Sequence, residues 1–414
     1  MKKSDRTTIL MILTCFIVLL NACTGKISPF PSSSPSPSPS PSPTLIPSPT
    51  TIPTTIPTTV PTAVPTAVPV VTEAPVARIT PVPLVSLDYS KVVSPDDMKP
   101  GIEEGFDVID NGPDESTTIV WKDDGNEEQG LMFVSYVKDG KTYAEIKRED
   151  YEDDRIELPA VSRQLAIVSP RNVLAREQVD DVSKLKIFDA GKYYVNGKSP
   201  YRMREEAVPY LFEMFAAAEK AGISDIKIRD TFRGFDQQTE MFNWAVKQRV
   251  DLGTSYNEAF RLCDRETAYP GTSEHHDGFT ADIINGDLKL EQGFGKTVFG
   301  KWLAANSYKF GFIIRYPSGK EAQTTKFYEP WHIRFIGPQA AEVIFKYKIT
   351  LEEFHAYLDI NRYLTSSYGN GKPCIFMNAS SLGEITIQEG VSESGELIIS
   401  ERGDGGYILQ FSID

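Results

Sequence analysis

Apolar residues recur along this chain with two periods, and the switches between them mark out its elements. Leu211, Met214, Phe215 and Ala218 fall at helical spacing within residues 204–221, and Gly222 follows, so an amphipathic helix is predicted there. Residues 226–229 read as a strand. The chain then turns at Thr231-Phe232-Arg233-Gly234 into a second helix over about 236–249. A loop carrying a short helix around 258–262 comes next. Residues 279–284 are strand-like, 297–310 helical up to Gly311, and 312–316 and 331–335 strand-like. Thr350 is placed as the N-cap of a further helix, with Glu353 at the capping-box position.

Alternation dominates on either side of this region. Residues 131–137 and 142–146 flank Lys138-Asp139-Gly140-Lys141, a hairpin signal, and 117–121 is strand-like. Near the C-terminus, 384–387, 397–400 and 407–411 are β-like, with Ser394-Gly395 and Gly405-Gly406 as turn signals. This tail is expected to pair with the N-terminal β-unit. Helices and strands are interleaved without regular βαβ spacing. The predicted class is therefore α+β: helices packed on a small antiparallel sheet, plus β-rich accessory segments.

The first 84 residues follow neither pattern. Lys2, Lys3 and Arg6 precede an apolar stretch, residues 9–20, too short and wrongly flanked for a stable span. It ends in Leu20-Asn21-Ala22-Cys23, which resembles a bacterial lipobox. Cleavage there makes Cys23 the first residue and the site of lipidation, and buried acyl chains would hold the protein at a membrane surface. Ser-Pro alternation and Ile-Pro-Thr-Thr repeats then run through roughly 28–83. Proline at this density favours polyproline II, and the tether would reach on the order of 170 Å if fully extended. The expected division is a lipoprotein signal peptide (1–22), a lipid-anchored tether (23–84), a β-rich accessory region (85–160), a catalytic domain (161–365) and a β-rich extension (366–414).

The net charge of −14 argues against nucleic acid as a partner. Only Cys263 and Cys374 lie in the folded part, and their positions in sequence do not establish whether they pair. Oligomeric state is not legible.

Chemistry concentrates in two clusters. One is Ser273-Glu274-His275-His276-Asp277-Gly278-Phe279-Thr280-Ala281-Asp282 and the other Glu329-Pro330-Trp331-His332. Three of the four histidines of the chain fall in them, which scatter would seldom produce. Two imidazoles and a carboxylate can hold one Zn²⁺ while leaving a position open, and a spare carboxylate beside the last ligand can serve as a base. A loop carrying His275 and a strand carrying Asp282 would bring the pair together, with Gly278 permitting the sharp backbone change between them. Glu329 and His332, three apart, would face opposite sides of a regular strand. A bend at Pro330-Trp331 is needed for both to reach one ion.

These motifs resemble those of the zinc D-alanyl-D-alanine carboxypeptidases of the VanY type and the related L,D-carboxypeptidases. The match runs through Ser273, His275, Gly278 and Asp282 and then Glu329-Pro330-Trp331-His332. It extends to residues 229–238, to 308–317 and to Gly319-Lys320-Glu321, and covers roughly 165–360. Thr280 and Thr325 depart from it, standing where the family has Ala and often Gly. The resemblance implies that His275, Asp282 and His332 bind one Zn²⁺ and that Glu329 is the catalytic base. It implies that Arg233 stabilises an oxyanion or holds substrate, and that Gln238 and Ser273 contact the peptide terminus. Arg233 also reads as a structural ion-pair partner and Ser273 as a loop cap. His276 is expected to be a bystander and Trp331 a core or pocket-wall residue, while His355 is given no role. The implied substrates are peptidoglycan stem peptides, trimmed of a terminal D-alanine outside the membrane. An endopeptidase on the same peptides and a non-catalytic wall-binding lipoprotein are the alternatives.

Overall fold

The computed structural model of the protein describes residues 106–110, 116–123, 126–148, 155–195, 200–286, 289–369, 371–389, 391 and 394–413. These fall within one compact unit, Leu87–Asp414. Cys23 and the proline-rich tether lie outside the described residues. Among the described residues, no helix is long and apolar enough to cross a membrane.

The N-terminal part is a meander of β1 (Phe106–Asp110), β2 (Thr117–Asp123), β3 (Asn126–Lys138) and β4 (Lys141–Arg148), each antiparallel to the next. The β3–β4 turn is Asp139-Gly140, with φ of 52° and 72°. A two-residue hairpin of the type that matches strand twist needs positive φ at both central positions, which is why the Asp-Gly pair was informative.

Helix α1 (Arg176–Asp180) and the ribbon of β5 (Leu185–Phe188) with β6 (Tyr201–Arg204) lead into the sheet that carries the chemistry. Helix α2 (Val208–Lys220) begins later than residue 204, because Arg204 ends β6 and Glu205–Ala207 forms a 3-10 turn. Pro209 then stands in the first turn, where its missing N–H costs nothing. Leu211, Met214, Phe215 and Ala218 are all buried, as their spacing predicts.

β7 (Ile226–Asp230) is followed by α3 (Phe235–Asp251), α4 (Tyr256–Glu266) and β8 (Thr280–Asn285). α5 (Val298–Asn306), β9 (Phe312–Ile314), α6 (Glu321–Thr324) and β10 (His332–Phe335) come next. The four strands form one antiparallel sheet in the order β7-β8-β10-β9. Ile228, Ala281, Ile283, Ile333 and Phe335 belong to the core cluster containing the apolar stripe of α2. Strand alternation therefore turns Asp282, His332 and Arg334 to the opposite face.

Two more helices, α7 (Pro338–Tyr347) and α8 (Leu351–Asn361), pack beside this sheet. Thr350 caps α8: its side chain accepts from the Glu353 N–H, and the Glu353 side chain accepts in return from the N–H of Thr350. The chain ends in β11 (Tyr363–Tyr368), β12 (Lys372–Ala379), β13 (Ile385–Ile387), β14 (Gly395–Glu401) and β15 (Tyr407–Ile413). Four of them form a sheet in the order β11-β12-β15-β14, while β13 joins the N-terminal meander parallel to β4.

The C-terminal sheet is buried on both faces. Cys374 and Phe376 of β12 pack with Phe354 and Leu358 of α8, while Ile375 and Met377 pack with Phe133 and Ile146 of the meander. A division at residue 365/366 thus falls inside β11, a strand already paired with β12 from Tyr363 onward.

Candidate metal centre

Each functional side chain is placed by a local backbone feature. His275 lies in a 3-10 turn, Glu274–His276, and Asp282 lies in β8. Gly278, between them, has φ of 82°, a left-handed conformation that favours glycine. His332 opens β10 directly opposite Asp282 in the β8–β10 register. Just before it, the backbone N–H of His332 donates to the carbonyl of Glu329 (3.2 Å). This tight turn supplies the bend that the spacing of Glu329 and His332 demands.

His275, Asp282 and His332 are brought together with donor atoms all within 4.8 Å of one another, and all three residues are buried. His275 Nε2 lies 3.4 Å from Asp282 Oδ2, and His332 Nδ1 lies 3.2 Å from Asp282 Oδ1. The Nδ1–H of His275 donates to the Thr231 carbonyl (2.5 Å), which leaves the Nε2 lone pair facing the cluster. Asp282 Oδ1 is buried and accepts no hydrogen bond. A buried carboxylate in that state, with one oxygen facing each of two imidazole nitrogens, suits a cation. Two nitrogens and one oxygen form a donor set appropriate to Zn²⁺ with a position left open.

The electrostatics follow from enclosure. Burial alone would push the Asp282 carboxyl up, but His275 and His332 beside it hold it well below the usual carboxylate range. Burial raises Glu329 to about 8, with Asp282 adding to the effect and His332 and Lys326 opposing it. Glu329 Oε2 stands 3.5 Å from His332 Nδ1, beside the three donors. A carboxylate placed there is within reach to take a proton from water and return it.

Arg233 and Gln238 meet each other. Arg233 donates twice to Asp230 Oδ2 (2.8 and 3.2 Å) and once to Gln238 Oε1 (2.6 Å). The Gln238 amide nitrogen donates to the carbonyls of Thr267 and Ala268, and the residue has no exposure. Both ends of that amide are occupied, so the structure uses Gln238 to hold Arg233 rather than to present a contact to a peptide terminus. Ser273 precedes the 3-10 turn and is buried, yet its side chain makes no capping hydrogen bond.

His276 is excluded from the ligand set by its partners. Its Nδ1–H donates to the Arg233 carbonyl (2.7 Å) and its Nε2 accepts from the Gly271 N–H (3.1 Å). Burial, with Arg233 and His275 nearby, lowers it to about 4, so the ring is neutral. Trp331 is part of the core beneath the sheet. His355 lies apart from the cluster, donating from Nε2 to the Leu165 carbonyl (2.8 Å).

The spacing of motifs did not reveal the ionic layer behind the cluster. Arg315 is 1% exposed and donates to Glu274 Oε1 (2.8 Å) and to both oxygens of Glu352 (2.6 and 3.0 Å). Arg334 is fully buried and pairs with Asp277 (2.9 Å). The only sequence hint was that Arg334 shares a strand face with His332, two residues on.

A family model described as "VanY: D-alanyl-D-alanine carboxypeptidase" matches residues 200–338, which contain every residue of the cluster. The chain is 40% identical over 154 residues to "Putative carboxypeptidase YodJ" of Bacillus subtilis (strain 168), covering 37% of this chain and 53% of that protein. It is 33% identical over 141 residues to "Bifunctional D-Ala-D-Ala dipeptidase and D-Ala-D-Ala carboxypeptidase VanXYC" of Enterococcus gallinarum, covering 32% of this chain and 68% of the relative. The chain belongs to the VanY family. It spans about half the length of YodJ and of the D-alanyl-D-alanine carboxypeptidase of Enterococcus faecium (53% and 50%). Among solved structures it is similar to the LdcB LD-carboxypeptidase, at 33% identity, with 49% of this chain and 93% of that one covered and a TM-score of 0.41. A VanY E175A mutant in complex with Zn(II) is 29% identical, with coverage of 46% and 98% and a TM-score of 0.40.

The two departures from the VanY family pattern have physical consequences here. Thr325 adopts φ of 62° as the C-cap of α6, which accounts for the glycine common at that position. Thr280 is fully buried in β8 and its hydroxyl has no hydrogen-bond partner.

Proposed function

We propose that this protein is a zinc-dependent carboxypeptidase that removes the C-terminal D-alanine from peptidoglycan stem peptides. The observation that carries this reading is the convergence of His275 Nε2, the Asp282 carboxylate and His332 Nδ1, with Glu329 beside them. A Zn²⁺ held there would polarise a scissile carbonyl and acidify water. Glu329 takes a proton from the attacking water and returns it to the departing amine of the released alanine. The guanidinium of Arg233, fixed by Asp230 and Gln238, supplies positive charge for a developing oxyanion or a terminal carboxylate. The Thr231 carbonyl keeps the His275 imidazole oriented with Nε2 toward the cluster.

Purified protein incubated with pentapeptide and tetrapeptide stems, followed by mass spectrometry, tests this. Loss of a single alanine from the pentapeptide supports D,D-carboxypeptidase action, and loss from the tetrapeptide supports L,D action. Cleavage only within the stem would replace the proposal with an endopeptidase. No cleavage by zinc-loaded protein would leave a wall-binding role.

We also propose that the site works outside the membrane, anchored by lipid on Cys23. The support is the basic segment, the apolar stretch and the Leu20-Asn21-Ala22-Cys23 sequence. A Cys23→Ser protein that still partitions with membranes as wild type does would sink that part.

A further inference from the structure

Behind the metal-facing edge of His332 stands a carboxylate that the proposed reaction does not use. Glu274 is 1% exposed and lies in the 3-10 turn beside His275. Its Oε2 is 3.7 Å from His332 Nε2, and neither atom has a hydrogen-bond partner. The opposite nitrogen of the same ring, Nδ1, faces Asp282 and Glu329. The imidazole of His332 therefore stands between the three-donor cluster and the Glu274 carboxylate.

A neutral imidazole carries one N–H, and a metal ligand must present the bare nitrogen. His275 achieves this with the Thr231 carbonyl on its Nδ1. For His332, no hydrogen bond is made at Nε2, and the acidic group facing that nitrogen is Glu274. Glu274 is held ready for the task. Arg315 Nε grips its Oε1 (2.8 Å) while bridging to Glu352, and Arg334 Nη1 lies 3.5 Å from the same oxygen while pairing with Asp277. Oε2 is thereby left facing the ring. At 3.7 Å the contact is longer than a made hydrogen bond. Two buried, unpaired polar atoms facing each other favour closing that gap, since water does not reach either one.

We propose that Glu274 is the positioning residue of His332: it accepts the Nε2–H, fixes the tautomer that turns Nδ1 to the metal, and raises the ligand's basicity. This rests on the metal-centre reading. It is tested without substrate, so its failure is distinct from failure of the peptidase assignment.

The test is Zn²⁺ affinity, measured by competition with a chromophoric chelator. Glu274→Leu removes the acceptor while leaving Arg315 with Glu352 and Arg334 with Asp277, so the arginines keep partners. The expected result is about 10- to 100-fold weaker Zn²⁺ binding. Glu274→Gln, which retains an acceptor oxygen, should recover part of it, and the Co²⁺ absorption spectrum should shift in the Leu variant. Glu352→Gln disturbs the same ionic layer from its far side without facing His332, and should bind Zn²⁺ within twofold of wild type. Equal losses in Glu274→Leu and Glu352→Gln would mean a purely structural role and overturn the proposal, as would wild-type affinity in Glu274→Leu. Wild-type protein, ¹⁵N-labelled at histidine and loaded with Zn²⁺, gives a readout independent of any variant. The His332 Nε2–H should be present and protected from exchange, and protonation at Nδ1 or rapid exchange at Nε2 would overturn the assignment.

Discussion

The backbone N–H of His332 donates to the carbonyl of Glu329 across 3.2 Å, and this single turn delivers a candidate base and a candidate ligand to the same point. Two residues three apart on a regular strand would face opposite sides of the sheet. Here the strand begins only at His332, so Glu329 approaches through the turn while His332 takes its place opposite Asp282. The candidate base is thereby tied by backbone to a candidate ligand.

Replacing Glu329 with Gln should lower alanine release from stem peptides by about 100- to 10,000-fold, the range for losing a positioned general base. Zinc content, measured by atomic emission, should stay near one ion per chain, because His275, Asp282 and His332 remain. Activity near the wild-type level would remove Glu329 from the mechanism.

Chelation should abolish alanine release, and added Zn²⁺ should restore it. Since the ion binds a site that the unfolded chain lacks, it should also raise stability by about 4 kcal/mol when free Zn²⁺ is 1,000 times its Kd. Urea melts with and without Zn²⁺ measure this. Coincident curves would argue against an ion at these residues.

Thr325→Gly should stabilise the fold by a net ~0.5–1 kcal/mol, the relief of left-handed strain exceeding the added entropy of glycine. Thr280→Val, which replaces an unsatisfied buried hydroxyl with a methyl, should add about 1 kcal/mol. Both are read from urea midpoints. Unchanged midpoints would mean that these positions carry no such cost.

His355 should make stability fall on acidification. Burial lowers its pKa well below the usual value, nearby Arg402 contributes, and the Leu165 carbonyl only partly opposes them. The unfolded chain takes up a proton near pH 6.5, whereas folded His355 resists it. Stability is therefore full above that pH and declines below it, by at most about 1.4 kcal/mol per pH unit for one proton. The metal-free His355→Gln protein, which keeps a donor for Leu165, should show a shallower decline in urea melts between pH 7 and 5. Parallel declines would count against this account.

Local rules made much of the fold readable. The Asp139-Gly140 turn, the Thr350–Glu353 capping box and the α2 stripe each depend on residues within a few positions of one another. The candidate cluster was legible because three scarce histidines fall beside acidic residues, and the structure brings two of them together with Asp282. What escaped reading was non-local. β12 shows no polar alternation because Phe376 packs on helices and Ile375 on the meander, so both faces are buried. Its run therefore gave no strand period. Gln238 sits at a position where a family motif implies a substrate contact, but only the folded loop shows its amide spent on Arg233, Thr267 and Ala268. Cys263 and Cys374 are not bridged to each other: each is buried in a different core cluster.

The parallel pairing of β13 with β4 has a consequence for the order of events during folding. Ile385–Ile387 completes a sheet by pairing with a strand some 240 residues earlier, and Phe411 of β15 fills the core against Phe133 of β3. As the chain emerges, the meander has its hairpins but lacks its edge strand and the opposing layer of its core. It must wait for nearly the whole polypeptide, including the metal-binding sheet, before it can close. Loops closed over such separations are slow to form. The two ends of the unit thus act as a clasp, and cutting the chain after β11 would leave the N-terminal sheet without its clasp as well as shortening the C-terminus.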